Sequence, residues 1–462
     1  MSLADLLVVS NRGPLSFRFD EQGHPVSAGS AGGLAGTLHG IFEGSGATWV
    51  ACAMSESDRA AAQAGLMTET GLKLVMVEPD ERLYQMAYNV VSNSILWFAH
   101  HHIFDAPRRP KIDSRFAEAW DAYRDVNRSF ADTICDAAAQ GAVVLVQDYH
   151  LTLVPGMLAR LRPDLSVVHF SHTPFGDPNV LRALPTTAMK EMLEGMAGST
   201  ACGFHSPRWE ASFLACCADA AVQPPSTFVS PLAPDALRLT GRAFEPDVVR
   251  AAERLAELVG DRRTIVKVDR IEPSKNLLRG FWALDELLRT HPEWLGRIVF
   301  LGLYYSSRQD LPEYLAYGTE VELAARRVNE TWGTTDWTPV VLDIADDPDR
   351  SLAALTLYDV LLVNPLRDGM NLVAKEGPIV NTKNGALALS TEAGAYDELG
   401  GAAIGLNPFD VSETAAALAT GLEMPPTERA ARASELRVLA TARRPSDWLE
   451  DQLAAAALSP AR

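Results

Sequence analysis

The sequence predicts an α/β protein built from two doubly wound domains, each a parallel sheet covered by helices on both faces. Three observations predict this fold class. Short apolar runs alternate with amphipathic helical patterns along most of the 462 residues, as in parallel sheets with crossover helices. Five prolines fall in residues 223–246, where the alternation of strand and helix patterns is interrupted. A segment of this kind indicates a crossing between domains. Polar turns follow several strands, which is where α/β domains bind ligands.

The predicted elements follow from this alternation in chain order. The predicted strands of the first half are 5–10, 47–51, 72–77, 142–147, 166–171 and 199–204. The predicted helices between them are 33–43, 114–139, 150–161, 185–196 and 207–219. The predicted strands of the second half are 264–269, 297–303, 339–342, 359–364, 386–390 and 402–405. The Ala-, Arg- and Glu-rich residues 411–457 are predicted to be helical.

Composition excludes several classes of function. The formal net charge of −18 argues against nucleic acid or an anionic membrane as a partner. No apolar run is long enough to span a bilayer, and acidic Asp5 before the first strand argues against a signal peptide. The five cysteines are odd in number and lack the spacing of metal ligands. We therefore expect a cytoplasmic enzyme without a metal or another cofactor.

The most informative segment is RDGMNLVAKE, residues 367–376, which follows a buried strand and opens a helix. Helix N-termini bind phosphate through free N–H groups and the helix dipole. Gly369 lets the backbone approach a ligand closely, Asp368 is suited to accept hydrogen bonds from a sugar hydroxyl, and Glu376 is placed to reach a ribose. This combination predicts a nucleotide-sugar site; a plain strand-to-helix connection would not need it.

Polar residues also follow three strands of the first half. Arg12 follows the first strand, and Gly33 belongs to a glycine pair at a helix start that permits close approach of a phosphate or sugar. Asp148 follows the strand at 142–147, at the edge where catalytic groups gather, although it could instead cap the next helix. His172 follows the strand at 166–171, where a lone histidine is more often structural.

Cations flank a strand-to-helix turn in the second half. Arg270 ends a strand and Lys275 follows five residues later. Arginine binds a diphosphate bidentately and lysine binds it as a point charge. The alternative is a surface ion pair with Glu272. Arg308, beyond the next strand, is a weaker candidate of the same kind.

Two aromatic residues stand in the segment YNVVSNSILW. Tyr88 and Trp97 have near-helical spacing, which usually indicates core packing. Stacking against a sugar is the second interpretation.

Seven segments, in this order, resemble one family: VSNR, AGGL, YN-x-x-SN-x-x-LW, DYH, H-x-PF, R-x-x-x-SK and DGMNLVAKE. Over residues 5–410 the chain resembles the trehalose-6-phosphate synthases, the retaining glycosyltransferases of family 20. The resemblance implies a GT-B architecture of two Rossmann-like domains facing a central cleft. It also implies transfer of glucose from a nucleotide diphosphate glucose to glucose 6-phosphate, giving α,α-trehalose 6-phosphate without a metal. The expected parts are an acceptor-binding domain at 1–235, a nucleotide-sugar-binding domain at 236–440, and a helix at 441–462 that packs on the first domain.

The resemblance also implies roles for individual residues. The acceptor would be held by Arg12, Tyr88, Trp97, Asp148 and Arg308. The donor would be held by Gly33, His172, Arg270, Lys275, Asp368, Gly369, Glu376 and the backbone of Met370, Asn371 and Leu372. The catalytic group would be Asp148, His172, Arg270, Lys275 and Asp368.

The chain departs from the family pattern at several positions. Gln147 stands where the family has a histidine, Asn276 where it has a glycine, and Cys52 where it has a second tryptophan. Residues 339–348 diverge where the family lines its base pocket, so the donor base is either uridine or guanine. Asp343 or Asp346 would accept hydrogen bonds from guanine, unless these two residues belong to the loop surface.

Two other functions stay open: a pseudo-glycosyltransferase that couples cyclitols, and an inactive sugar-phosphate-binding regulatory subunit. The sequence also leaves open the degree of domain closure and whether the chain forms a homo-oligomer.

Overall fold

The computed structural model describes residues 3–30, 38, 40–42, 44–64 and 73–458. The chain divides into two compact units. Unit 1 comprises Met1–Pro231 together with Pro445–Arg462, and unit 2 comprises Leu232–Arg444.

Unit 1 contains a seven-stranded parallel sheet and a two-stranded antiparallel hairpin. Its strands are β1 (Ala4–Ser10), β2 (Leu15–Phe19), β3 (Pro25–Ser30), β4 (Thr48–Cys52), β5 (Lys73–Val77), β6 (Ala138–Gln147), β7 (Ser166–Ser171), β8 (Ala201–Phe204) and β9 (Ser226–Val229). The large sheet has the order β5-β4-β1-β6-β7-β8-β9, and β2 pairs with β3.

Helices surround this sheet, and the last of them comes from the far end of the sequence. The described helices of unit 1 are α1 (Glu56–Gln63), α2 (Glu81–Gln85), α3 (Trp97–His101), α4 (Ser114–Ala137), α5 (Val154–Leu161), α6 (Pro178–Leu181), α7 (Thr186–Ala197), α8 (Pro207–Asp219) and α18 (Pro445–Ala456). A π-helical segment, Met86–Leu96, joins α2 to α3, and a 3₁₀ turn covers Tyr149–Leu151.

Unit 2 contains a six-stranded parallel sheet of order β12-β11-β10-β13-β14-β15. Its strands are β10 (Arg263–Arg270), β11 (Ile298–Tyr305), β12 (Val340–Ile344), β13 (Val360–Val363), β14 (Ala386–Ser390) and β15 (Ile404–Leu406). Its helices are α9 (Ala236–Ala243), α10 (Pro246–Val259), α11 (Leu277–Thr290), α12 (Pro312–Trp332), α13 (Pro348–Leu357), α14 (Val373–Val380), α15 (Tyr396–Leu399), α16 (Val411–Glu423) and α17 (Pro426–Ala440). Two 3₁₀ turns are Pro273–Lys275 and Pro292–Trp294.

Each sheet has a point where the strand order reverses. In unit 2 the chain moves outward from β10 and returns to β13 on the other side, so β10 and β13 are neighbours. In unit 1, β1 and β6 are neighbours for the same reason. Open α/β sheets bind ligands at the carboxyl ends of such strand pairs. The turns after β1, β6, β10 and β13 are therefore the places to look for a site.

Most predicted strands are present within one or two residues, because fully apolar runs such as that of β13 are buried on both faces. The prediction missed the β2–β3 hairpin and β9, which lies inside the proline-rich segment 223–246. The stretch 411–457, predicted to be helical, contains three helices, and Pro426 and Pro445 each begin a new one. The predicted helix 33–43 lies mostly outside the described residues.

Among the described helices, none combines the length and the apolar character that crossing a bilayer needs.

Candidate active site

The turn after β10 gathers charged groups around one buried carboxylate. Arg270 Nη1 and Arg308 Nη1 each lie 3.2 Å from Oε1 of Glu272, and Ser307 donates to the same oxygen at 2.9 Å. Glu272 is only 1% exposed. Although burial opposes ionisation, the two guanidinium groups lower the pKa of Glu272 to about 2. Arg270 does pair with Glu272, as the alternative interpretation of this turn expects, but the carboxylate lies inside the fold and not on its surface.

Lys275 is held from the neighbouring strand. Its ammonium lies 2.5 Å from Oδ2 of Asp368, which follows β13. Burial disfavours the charged ammonium, yet the carboxylates of Asp368 and Asp269 raise the pKa of Lys275 above its usual value. The two turns at the reversal point of unit 2 are thus joined by a direct ion pair between two predicted donor residues.

The turn after β13 is built by the side chain of Asp368. Its Oδ1 accepts from the Met370 N–H at 3.3 Å, and its Oδ2 accepts from Asn371 Nδ2 at 3.1 Å. Asn371 has a φ of 73°, in the left-handed region that asparagine tolerates better than most residues. Its Oδ1 accepts from the Ala374 N–H at 3.3 Å. This turn thus places the start of α14 after β13, at the carboxyl edge of the sheet, where a helix start favours an anion.

Glu376 lies in the first turn of α14 and is half-buried. Burial raises the pKa of Glu376 to about 7, against a smaller lowering by Arg242. The carboxyl group therefore changes charge near neutral pH. Gly369 precedes this helix in the same turn.

Arg308 follows β11 and is the only predicted acceptor residue that belongs to unit 2. It has a φ of 47°, its guanidinium donates to the Tyr314 hydroxyl at 2.6 Å, and it lies over the Tyr314 ring. The structure therefore places Arg308 beside Arg270, on the carboxylate they share.

In unit 1, Asp148 connects the ends of β6 and β7. Its φ of 70° is costly for a residue other than glycine, and such strain collects at functional sites. Oδ1 accepts from the backbone N–H groups of His172 and Thr173 at 3.2 and 3.3 Å. The side chain makes no capping bond to the turn that follows, so the alternative role as a helix cap is not what the structure shows.

His172 is held through both ring nitrogens. Nε2 lies 2.9 Å from Gln147 Oε1, and Nδ1 lies 3.1 Å from Nε2 of His205. Since a carbonyl oxygen only accepts, Nε2 carries the proton of the neutral His172 ring, and Nδ1 faces Nε2 of His205. Burial, followed by repulsion from His205 and His169, lowers the pKa of His172 well below its usual value. A neutral ring with both nitrogens engaged is suited to fixed positioning and not to taking up a proton.

The last helix, α18, completes the packing around His172. The Trp448 ring centroid lies 5.6 Å from that of His172 and 5.1 Å from that of Phe170. The amide of Gln452, which is fully buried, lies 3.4 Å from that of Gln147. Asp451 accepts from the Ser230 hydroxyl at 2.8 Å. These contacts were not predicted from the sequence, because nothing in an Ala-rich amphipathic helix indicates which strand end it will meet.

The other predicted acceptor residues of unit 1 have different environments. Arg12 is exposed and donates from Nη2 to the Ser16 hydroxyl at 3.4 Å. Tyr88 is half-buried and stacks between Tyr84 and His150, at centroid distances of 5.4 and 5.7 Å. Trp97 is 2% exposed, as the core interpretation expects. Its acceptor role stays a prediction.

Gly33 and the rest of the AGGL segment lie outside the described residues, so its predicted contact with the donor stays a prediction.

The departures from the family pattern have clear structural settings. Asn276 has a φ of 57°, and its Nδ2 donates to the backbone oxygens of Asn364 and Pro408 at 3.0 and 2.8 Å. Asparagine therefore takes a left-handed position and adds two buried hydrogen bonds there. Cys52 is buried, and burial raises the pKa of its thiol to about 12. Asp343 forms an ion pair with Arg350 at 2.5 Å, and Asp346 is exposed.

Among the described residues, no group of three or more His, Cys, Asp or Glu side chains is placed to hold a metal ion.

Two Rossmann-like units with charged strand ends define a glycosyltransferase of the GT-B fold. The chain belongs to glycosyltransferase family 20, whose sequence model matches residues 4–457. The α,α-trehalose-phosphate synthase [UDP-forming] 2 of Aspergillus niger is 32% identical over 93% of this chain and 92% of its own length. The UDP-forming synthase A of Dictyostelium discoideum is 30% identical over 96% of this chain, which spans 61% of that relative's length.

Solved structures agree with this assignment of family and fold. One, described as trehalose-6-phosphate from E. coli bound with UDP-2-fluoro glucose, has a TM-score of 0.85 and 27% identity over 99% of this chain and 100% of its own. The UDP-forming synthase of Burkholderia xenovorans in complex with glucose-6-phosphate has a TM-score of 0.84 and 26% identity over 98% and 99%.

Proposed function

We propose that this chain transfers glucose from a nucleotide diphosphate glucose to glucose 6-phosphate and forms α,α-trehalose 6-phosphate with retention at the transferred carbon. The observation that carries the proposal is the meeting of two turns at the reversal point of unit 2. There, Lys275 in the turn after β10 lies 2.5 Å from Asp368 in the turn after β13, and Arg270 ends β10 beside this turn. Cations beside a helix start suit a diphosphate, and a carboxylate in the same turn suits a sugar hydroxyl.

Unit 2 would bind the donor. Arg270 and Lys275 would bind the diphosphate, the backbone of Met370, Asn371 and Leu372 would lie along the donor glucose and phosphates, and Glu376 would accept from the ribose. Within unit 2 these cations form ion pairs with Glu272 and Asp368. Donor binding would therefore exchange internal ion pairs for ion pairs with phosphate.

Unit 1 would bind the acceptor and hold His172 as a neutral group for the donor glucose. Arg12 is an exposed cation at the end of β1, suited to the phosphate of glucose 6-phosphate. Asp148 follows the adjacent strand β6, where its carboxylate would accept from the acceptor sugar.

The transfer would proceed on one face of the donor without a covalent enzyme intermediate. The anomeric hydroxyl of the acceptor forms a bond to C1 of the donor glucose while the C1–O bond to the diphosphate breaks. The leaving phosphate oxygen takes the proton of the acceptor hydroxyl, so no protein base is needed. Arg270 and Lys275 stabilise the negative charge that grows on the leaving group, and the rest of the catalytic effect comes from holding the two sugars in place.

For the donor base we favour uridine. The similar proteins named above are described as UDP-forming, and one oxygen of Asp343, an acceptor considered for guanine, is paired with Arg350.

The test is release of nucleoside diphosphate with glucose 6-phosphate against UDP-, GDP- and ADP-glucose, with the linkage of the product read by NMR. Release with one donor, together with an α,α-linked disaccharide phosphate, supports the proposal and identifies the base. No release with any of the three donors, from protein that unfolds cooperatively, overturns it in favour of cyclitol coupling or a regulatory role.

A further inference from the structure

A lysine is buried beneath the turn that carries Arg270 and Lys275. Lys267 lies in the middle of β10 with no exposed surface. Its Nζ is 2.9 Å from Oδ2 of Asp269 and 2.8 Å from Oδ1 of Asn364. An isolated buried ammonium is costly, so a lysine at such a position needs these partners.

Asp269 is shared between two lysines. While its Oδ2 binds Lys267, its Oδ1 lies 3.6 Å from Nζ of Lys275, and that ammonium in turn lies 2.5 Å from Asp368. The four side chains therefore form one alternating row of charges that runs from the interior of the sheet to its carboxyl edge.

The balance of this row depends on Lys267. With it, two ammonium groups face two carboxylates. Without it, Lys275 alone would face both Asp269 and Asp368, at distances of 3.6 and 2.5 Å. In a buried setting, where charges interact several times more strongly than in water, the excess carboxylate would hold Lys275 more tightly and repel an approaching diphosphate.

We propose that Lys267 is a positioning residue for the donor diphosphate. Lys267 engages Asp269, so that Lys275 can exchange its carboxylate partners for phosphate. This inference rests on the proposed function only in that a nucleoside diphosphate binds at Arg270 and Lys275. Lys267 itself touches no substrate.

A purely structural role makes a different prediction. The stem of Lys267 packs near α11, where a Cβ on Gly280 would lie 3.7 Å from its Cδ. Methionine has a similar length and would fill this space. If Lys267 only stabilises the fold, the nucleotide affinity of Lys267→Met and of Lys267→Met/Asp269→Asn would fall in proportion to their loss of stability. If Lys267 has the proposed role, their affinity would instead follow the net charge of the row.

The experiment is titration calorimetry of the full chain with UDP, with GDP and with ADP, alongside thermal unfolding. Lys267→Met is expected to bind the nucleotide that the wild type prefers about tenfold more weakly than the wild type does, since one charge of the row is lost. Lys267→Met/Asp269→Asn, which restores the balance, is expected to return to within about threefold of wild type. Lys267→Gln keeps an N–H donor for Asn364 and is expected to behave like Lys267→Met, so the test does not depend on one variant folding.

The outcomes separate the two proposals. Unchanged affinity in Lys267→Met and Lys267→Gln, with the wild type binding normally, overturns the role of Lys267 alone. The role of Lys267 is also overturned if the double variant binds nucleotide as weakly as the single variant. A folded wild-type protein that binds none of UDP, GDP and ADP overturns the proposed function and this inference together.

Discussion

Nε2 of His172 lies 2.9 Å from Oε1 of Gln147, so the side chain that ends β6 fixes the ring that follows β7. The other end of the Gln147 amide faces Gln452 of α18 at 3.4 Å. Both glutamines are buried, with exposures of 1% and 0%. Two neighbouring strands and the last helix of unit 1 thus meet in one row of hydrogen bonds.

Replacing Gln147 by leucine should destabilise the protein by about 1–3 kcal/mol, because the buried groups of His172 and Gln452 then lose their partner. Urea unfolding measures this change. The double variant Gln147→Leu/Gln452→Leu should lose less free energy of unfolding than the two single variants lose together, since the second unpaired amide is removed as well.

The matched control is Gln140→Leu, an exposed glutamine on the same strand β6, which should change stability by no more than about 0.5 kcal/mol. Equal losses at positions 140 and 147 would show that the row of hydrogen bonds contributes nothing specific.

Arg270→Ala should lower turnover by about a hundredfold, roughly 3 kcal/mol of transition-state stabilisation, because the guanidinium attracts the leaving diphosphate most strongly when its charge is greatest. Steady-state kinetics at saturating donor and acceptor measure the effect. Arg289→Ala, which removes an arginine paired with Glu286 on the surface of α11, serves as the control and should leave turnover unchanged. Near-wild-type turnover in Arg270→Ala with normal unfolding would remove Arg270 from the mechanism.

Arg12→Ala should raise the half-saturating concentration of glucose 6-phosphate by about tenfold, because a charge-assisted contact to its phosphate is lost. The donor constant should not change. Arg18→Ala removes an exposed arginine of β2 and should alter neither constant. A change in the donor constant alone would show that Arg12 does not belong to the acceptor site.

Nucleoside diphosphate binding should depend on the charge of Glu376. Burial raises its pKa to about 7, so the carboxyl is protonated below that pH and becomes a stronger acceptor for ribose hydroxyls above it. Affinity for UDP or GDP should therefore rise between about pH 6 and pH 8. This component should vanish in Glu376→Gln and for nucleotides that lack the ribose hydroxyls.

The same raised pKa gives stability the opposite pH dependence. The folded state keeps a proton on Glu376 that the unfolded chain releases at its ordinary value of 4.5. Since the folded state binds more protons between about pH 4.5 and 7, the contribution of this group to stability falls as pH rises through that window. Glu376→Gln should remove that part of the pH dependence in chemical unfolding. An identical pH profile in wild type and variant would contradict the assignment.

The positions of Arg270, Asp148 and Asp368 at strand ends could be predicted from the sequence, because apolar runs locate the strands and parallel strands all end at one edge. Their partners could not. Glu272 lies two residues after a strand, and only its burial beside both Arg270 and Arg308 reveals it as their common carboxylate. Lys267 interrupts an apolar run, and its role depends on Asn364, 97 residues away. Gln147 and Gln452 are 305 residues apart, and no local periodicity relates them.

Because α18 belongs to unit 1, that unit is assembled from both ends of the sequence, with the 213 residues of unit 2, Leu232–Arg444, inserted between its parts. During synthesis, domains fold as units from the N-terminal side. The strands of unit 1 emerge from the ribosome long before Trp448 and Gln452, so the surroundings of His172 stay incomplete until unit 2 has been translated. The nascent chain thus acquires its donor-binding framework before the packing around His172 is finished, and a donor analogue present during translation would meet unit 2 first.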